Sequence, residues 1–153
     1  MKKHVFSEKT SLRMTKAAAA AMLALLILIG AVAMPGWKWL IATFRPELTR
    51  WVHAFITSTY LLLIPAVAAM LYVIRLLCNL QQGQVFIRQN VVLLRSLVWC
   101  CTVAFVICVG STVYYPLFGF IAAACGLMAL LLNAVKNCFG HAVEMQDELD
   151  LTV

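Results

Sequence analysis

The sequence predicts an all-α membrane protein: a four-transmembrane-helix bundle, N-in/C-in, with a short outer interfacial helix and cytosolic helix extensions. Three observations carry this. Apolar residues are 64% of the 153, against roughly 45–50% in soluble domains. Charged residues are 12%, about half the usual ~25% and too few to cover a soluble fold. Asp, Glu, Lys and Arg are missing from three long stretches, 17–34, 51–74 and 96–135. This composition excludes a disordered chain and argues against a conventional soluble enzyme.

A helix needs about 20 apolar residues to cross ~30 Å of hydrocarbon. The stretches 17–34 and 51–74 each supply one crossing. The third supplies two, 97–113 and 117–135, divided at Tyr114-Tyr115-Pro116. Proline lacks a backbone donor and restrains the residue before it, which favours a turn there. Residues 1–16 then form a basic cytosolic tail, 17–135 the membrane domain and 136–153 an acidic cytosolic arm. An N-in orientation places nine of the twelve Lys and Arg inside and leaves Lys38, Arg45 and Arg50 outside, as the positive-inside rule requires. Trp37, Trp39, Trp51, Tyr114 and Tyr115 fall at the outer ends, where amphipathic rings settle. A cleavable signal peptide ending near Ala31-Val32-Ala33 is the competing reading of the N-terminus. Retention as the first helix is the simpler outcome, since three more spans follow.

The connections carry their own patterns. Trp37, Leu40, Ile41, Phe44, Leu48 and Trp51 recur at three- and four-residue spacing, which predicts an amphipathic helix on the outer surface, broken at Pro46. A lid over a binding cleft is the functional alternative. The second helix is expected to run past the membrane to Gln81-Gln82-Gly83-Gln84, with Gly83 as a left-handed cap. The third restarts near Phe86 or Ile87. The last is expected to continue to about Leu149, carrying Glu144, Asp147, Glu148 and Asp150 into the cytosol.

The predicted spans hold no Asp, Glu, Lys or Arg, whereas ion-coupled carriers and proton relays place such groups there. His53 sits at the edge of the second span. Thr57, Ser58, Thr59 and Tyr60 form the densest polar set. They are a candidate membrane cleft, or hydrogen-bonding glue between helices. Pro65 predicts a kink. The small-residue pairs Gly119/Ala123, Ala122/Gly126, Ala17/Ala21 and Ala20/Ala24 suit packing within the chain and a homo-oligomer alike. Six cysteines, at 78, 100, 101, 108, 125 and 138, show no C-x-x-C and no ligand spacing with His. They are taken as small buried apolar residues, with Cys108 and Cys125 placed to meet across the last hairpin. No catalytic motif, metal site or cofactor site is expected. The net charge of +6 is spent on lipid-flanking positions rather than on nucleic acid.

Gly83-Gln84-Val85-Phe86-Ile87-Arg88-Gln89-Asn90 followed by Leu94-Arg95 resembles a signature of the bacterial membrane family of domain of unknown function 2975 (DUF2975). So does the acidic stretch leading to Asp150-Leu151-Thr152-Val153. Ile87 stands where such sequences often have Ser or Thr. The resemblance implies four helices and no established activity. Genes of the family often neighbour a small helix-turn-helix regulator of the Cro/repressor type, which implies a cytosolic DNA-binding partner. The expected docking surface is then Gly83, Phe86, Asn90 and Arg95 with Glu144, Glu148, Asp150, Leu151 and Val153. The expected function is a non-enzymatic regulatory partner in the bacterial cytoplasmic (inner) membrane. A small-solute channel, exporter subunit or immunity-type membrane protein is the alternative.

Overall fold

The computed structural model describes the backbone of residues 2–44, 46–82 and 87–151, and side chains at 14–44, 46–82, 87–145 and 148. Among these residues are four α-helices: α1 (Lys2–Phe44), α2 (Val52–Gln81), α3 (Arg88–Ser111) and α4 (Phe118–Leu151). A six-residue 3-10 helix, Pro46–Trp51, links α1 to α2. Each α-helix contains a stretch long and apolar enough to cross a membrane, with mean hydropathy between 2.1 and 2.6. Most of that surface faces outward. Leu28, Ile64, Phe120 and Leu130 are all more than half exposed, a density of bare hydrocarbon that only a bilayer accommodates. The chain is a multi-pass membrane protein.

The helices pack in chain order. α1 lies on α2, α2 on α3 and α3 on α4, while α1 and α4 stay apart as backbones among the described residues. The arrangement is an open row rather than a closed bundle. Successive helices run antiparallel, so both connections α1–α2 and α3–α4 lie at one end, here the turn end. The N-terminus of α1 and the C-terminus of α4 lie at the other, the terminal end.

α1 does not stop at Met34. It runs through Pro35 and Gly36 to Phe44, so residues 37–44, expected as part of a separate surface helix, continue the first one. Proline at 35 removes the amide that would serve the Ala31 carbonyl, a loss that neighbouring groups offset in membrane helices. The buried positions explain the continuation: Gly30, Ala33 and Ile41, with half-buried Trp37, share one face at three- and four-residue spacing. The Trp37/Ile41 stripe is therefore the packing face of α1 carried one step further. Only the stretch after Phe44 is distinct, as the 3-10 helix.

Two close approaches set the row. At Gly30 a β-carbon would stand 2.6 Å from Leu63 Cδ2, and the Tyr60 hydroxyl donates to the Gly30 carbonyl at 3.1 Å. At Gly126 a β-carbon would meet the Phe105 ring at 3.2 Å, beside buried Ala122. These are the small-residue contacts the fold uses. Ala17, Ala20, Ala21, Ala24 and Ala123 are exposed instead.

The α3–α4 turn falls at 112–117, around Pro116, closed by Phe118 N–H to the Tyr115 carbonyl at 3.1 Å and Gly119 N–H to the Pro116 carbonyl at 2.9 Å. α2 runs unbroken through buried Pro65 to Gln81. α3 begins after Ile87, whose extended backbone (φ −118°, ψ 145°) carries no side-chain cap. Its carbonyl instead accepts the Asn90 N–H at 3.0 Å. The expected cap at Gly83 lies outside the described residues.

Gly30→Phe should drive α1 off α2 and cost ~1–3 kcal/mol, as overpacking does. Gly30→Ala should cost little, because the atom it meets is the movable tip of Leu63. Unfolding in bicelles checks this, and Gly30→Phe combined with Leu63→Ala should lose less than the sum of the two single changes.

Candidate functional site

The turn end is built around Phe55, 2% exposed on the first turn of α2. Its ring meets Tyr114 at 5.0 Å between centroids, Trp37 at 5.1 Å, Tyr115 at 5.5 Å and Phe118 at 6.2 Å. Three of the partners are tyrosine or tryptophan, whose polar tips suit the membrane–water boundary. Trp51 stacks on Tyr114 at 6.0 Å, which ties the 3-10 helix to the α3–α4 turn.

Beside this cluster, between α1, α2 and the start of α4, is a cavity of about 590 Å³. It lies on the side where α1 and α4 do not touch. On α1 its lining extends from Leu26 to Phe44, ~27 Å of helix rise, so it is a groove along the membrane normal. Carbon lines nearly all of it. Thr59 and Tyr115 are the hydroxyl residues in its wall, and the Thr59 hydroxyl is engaged twice. It accepts from Trp37 Nε1 at 2.9 Å and donates to the Phe55 carbonyl at 2.8 Å.

The four residues expected to share a polar cleft are spread around α2. Thr57 is exposed. Ser58 turns to the end of α3 and the turn after it, where it bonds the Tyr114 hydroxyl and lies 3.2 Å from Ser111 Oγ, which reaches the Ile107 carbonyl at 2.9 Å. Thr59 faces the groove, and Tyr60 reaches α1. Helix geometry explains the scatter, since four consecutive residues at ~100° steps cover the whole circumference. Among the described residues no buried side-chain nitrogen or oxygen lacks a partner.

At the terminal end, Asn90 is fully buried. Its Oδ1 accepts from Asn79 Nδ2 at 2.8 Å, joining α2 to α3. Asn90 is thus an interhelical clamp and offers no surface to a partner, contrary to its expected place in a docking face. Arg95 is exposed. α4 extends to Leu151, roughly ten residues or ~15 Å beyond the level at which α3 begins. Glu144 and Glu148 on it are exposed, and Glu144 lies 3.6 Å from His141. Gly83, Phe86 and Val153 lie outside the described residues. Asp150 and Leu151 are within α4 as backbone, and their side chains lie outside them too. Buried Val143 shows that the base of this extension is packed.

The cysteines are all free thiols. Cys108 is fully buried and lies near Cys125, across α3 and α4. All six were expected to be buried, but Cys78, Cys100, Cys101 and Cys125 are half-buried and Cys138, on the outward side of α4, is exposed. Among the described residues no His, Cys, Asp or Glu side chains converge as a metal-holding group.

The family described as Protein of unknown function (DUF2975) matches residues 37–153. The chain belongs to this family. The DUF2975 match begins at Trp37, the first ring of the Phe55 cluster, and takes in the clamp at Asn90 and all of α4. No curated protein and no solved structure matches the chain.

Asn90→Leu and Asn79→Leu should each destabilise by ~1–3 kcal/mol, because each strands a partner in a buried site. The double change should be milder than either single one. Thermal unfolding of the four proteins in detergent gives the comparison.

Proposed function

We propose that the protein is a non-enzymatic regulatory partner in the bacterial cytoplasmic membrane, N-in/C-in, that holds a helix-turn-helix DNA-binding regulator at its cytosolic face. The observation that carries the reading is the overshoot of α4. A helix that needs about 20 residues to cross continues for 34, and the sequence of its last turns includes four acids within seven residues, Glu144, Asp147, Glu148 and Asp150. Acids placed there are repelled by anionic lipid and attract a basic protein. DNA-binding domains are basic, because they must meet phosphate. The orientation follows from charge: nine of the twelve Lys and Arg belong to the terminal end.

The docking surface we propose includes exposed Arg95, Glu144 and Glu148, and Asn90 serves beneath it by fixing α2 against α3. A regulator held there is withheld from its operator, or released when the membrane protein changes state. The channel, exporter-subunit or immunity reading calls for a polar route through the membrane. Here the span hydroxyls of Ser58, Thr59 and Tyr60 are each bonded within the protein, which favours the regulatory reading.

Co-purification with the product of the neighbouring regulator gene tests the proposal. Reversing Glu144 and Glu148 to Lys should weaken retention roughly tenfold, ~1.4 kcal/mol, and added salt should mimic the change. Retention unaffected by either, or no retention by the full chain, refutes it. A reporter fused after Val153 should be active on the cytosolic side only.

A further inference from the structure

The geometry points to Lys16, Arg75, Arg95 and Lys136 as a belt that binds the head-group phosphates of anionic lipids in the leaflet at the terminal end. Each of these residues is the first charge met on leaving its helix's apolar span towards that end, and all four are basic. The structure brings them level. Gly30 against Leu63 fixes α1 on α2, the Ser58–Ser111 and Asn79–Asn90 bonds fix α2 on α3, and Gly126 against Phe105 fixes α3 on α4. Counted from those contacts along antiparallel helices, the four cations fall within about one turn, ~5 Å, of a single height. One comes from each helix, so the belt passes across the whole row.

Distance from the turn end identifies what the belt meets. From Trp37 to Lys16, Phe55 to Arg75, Tyr114 to Arg95 and Phe118 to Lys136 the chain covers 18–21 residues, ~27–32 Å of helix. The hydrocarbon core is ~30 Å thick. With the Phe55 ring cluster at one boundary, every helix therefore reaches its cation at the other. Rings mark this second boundary too. Trp99, more than half exposed, and half-buried Tyr72 stand one turn inside Arg95 and Arg75, the depth such side chains favour. Arg75 and Arg95 are exposed, Lys16 and Lys136 half-buried. Among the described residues none of the four is ion-paired, and Lys136 Nζ donates to the neutral Asn133 Oδ1 at 3.0 Å. No acid lies within seven residues of any of them in the chain, so the acids of α4 begin ~12 Å further out. Four uncompensated cations at head-group height call for phosphate, and lipid supplies it there. Arg95 thus stands at the lipid-facing margin of the docking surface proposed above, and the belt does not rest on that proposal.

The test uses the full chain in phosphatidylcholine vesicles with spin-labelled lipids, whose immobilised fraction reports contact with protein. Spin-labelled phosphatidylglycerol should bind several-fold more strongly than spin-labelled phosphatidylcholine. Changing Lys16, Arg75, Arg95 and Lys136 to Gln should bring that ratio close to one, and high salt should reduce it. The milder pair Arg75→Gln with Arg95→Gln should lower it part-way, and no lowering there counts against the belt even if the fourfold variant does not insert. A ratio near one in the parent protein overturns the proposal, as does a ratio that survives the fourfold change. Lys2, Lys3, Lys9 and Arg13 changed to Gln should leave the ratio, and its loss there assigns the effect to the tail and overturns the belt. Depth is read separately, with the belt unchanged. In vesicles opened to both sides, a membrane-impermeant maleimide should label exposed Cys138, two residues beyond Lys136, and spare half-buried Cys100, five residues inside Arg95. Labelling of Cys100 or protection of Cys138 places the boundary elsewhere and overturns the proposal.

Discussion

Between helices in lipid the hydrophobic effect has nothing to offer, because a lipid tail is as apolar as leucine. What holds this protein together must come from close packing, ring contacts and hydrogen bonds. Phe55 is where these converge. Its ring touches rings from α1, the α3–α4 turn and α4, and the Trp37–Thr59 and Ser58–Tyr114 bonds flank it on either side. The groove exists because this cluster props the start of α4 beside α2 while α1 leans on the other flank. At the far end the Asn79–Asn90 bond holds α2 to α3.

The spans, their number and the turn at Pro116 were legible because they depend on hydropathy and on a missing donor, both local properties. So was the start of α3 next to Ile87. The length of α1 was not. Pro35-Gly36 reads as a stop in any local scheme, yet Trp37 and Ile41 keep the phase of Gly30 and Ala33, and packing on α2 outweighs one lost backbone bond. The residues 57–60 carried a signal that pattern reading can use: consecutive positions on a helix diverge, so a run of hydroxyls serves several neighbours rather than one cleft. Asn90 shows the opposite case. Its place in a family motif suggested a surface role, but only its depth between α2 and α3 reveals the clamp. The groove itself had no sequence signature, because it arises from two helices that do not touch.

The division of labour between the two ends follows from composition. The turn end is rich in rings that tolerate both water and lipid, and its polar side chains are mostly spent on each other. The terminal end holds most of the basic residues and most of the acids, and there α4 outruns its neighbour. Packing dominates one end and charge the other.

The open row has a consequence for how the protein is made. Every extensive helix contact is between elements adjacent in the chain. Each helix therefore finds its packing partner already in place as it enters the bilayer, and no hydroxyl on α2 has to wait long for α3. Assembly can proceed vectorially during synthesis, with little loop-closure entropy to overcome at any step. A closed bundle, in which the first helix must find the last, has no such order available to it.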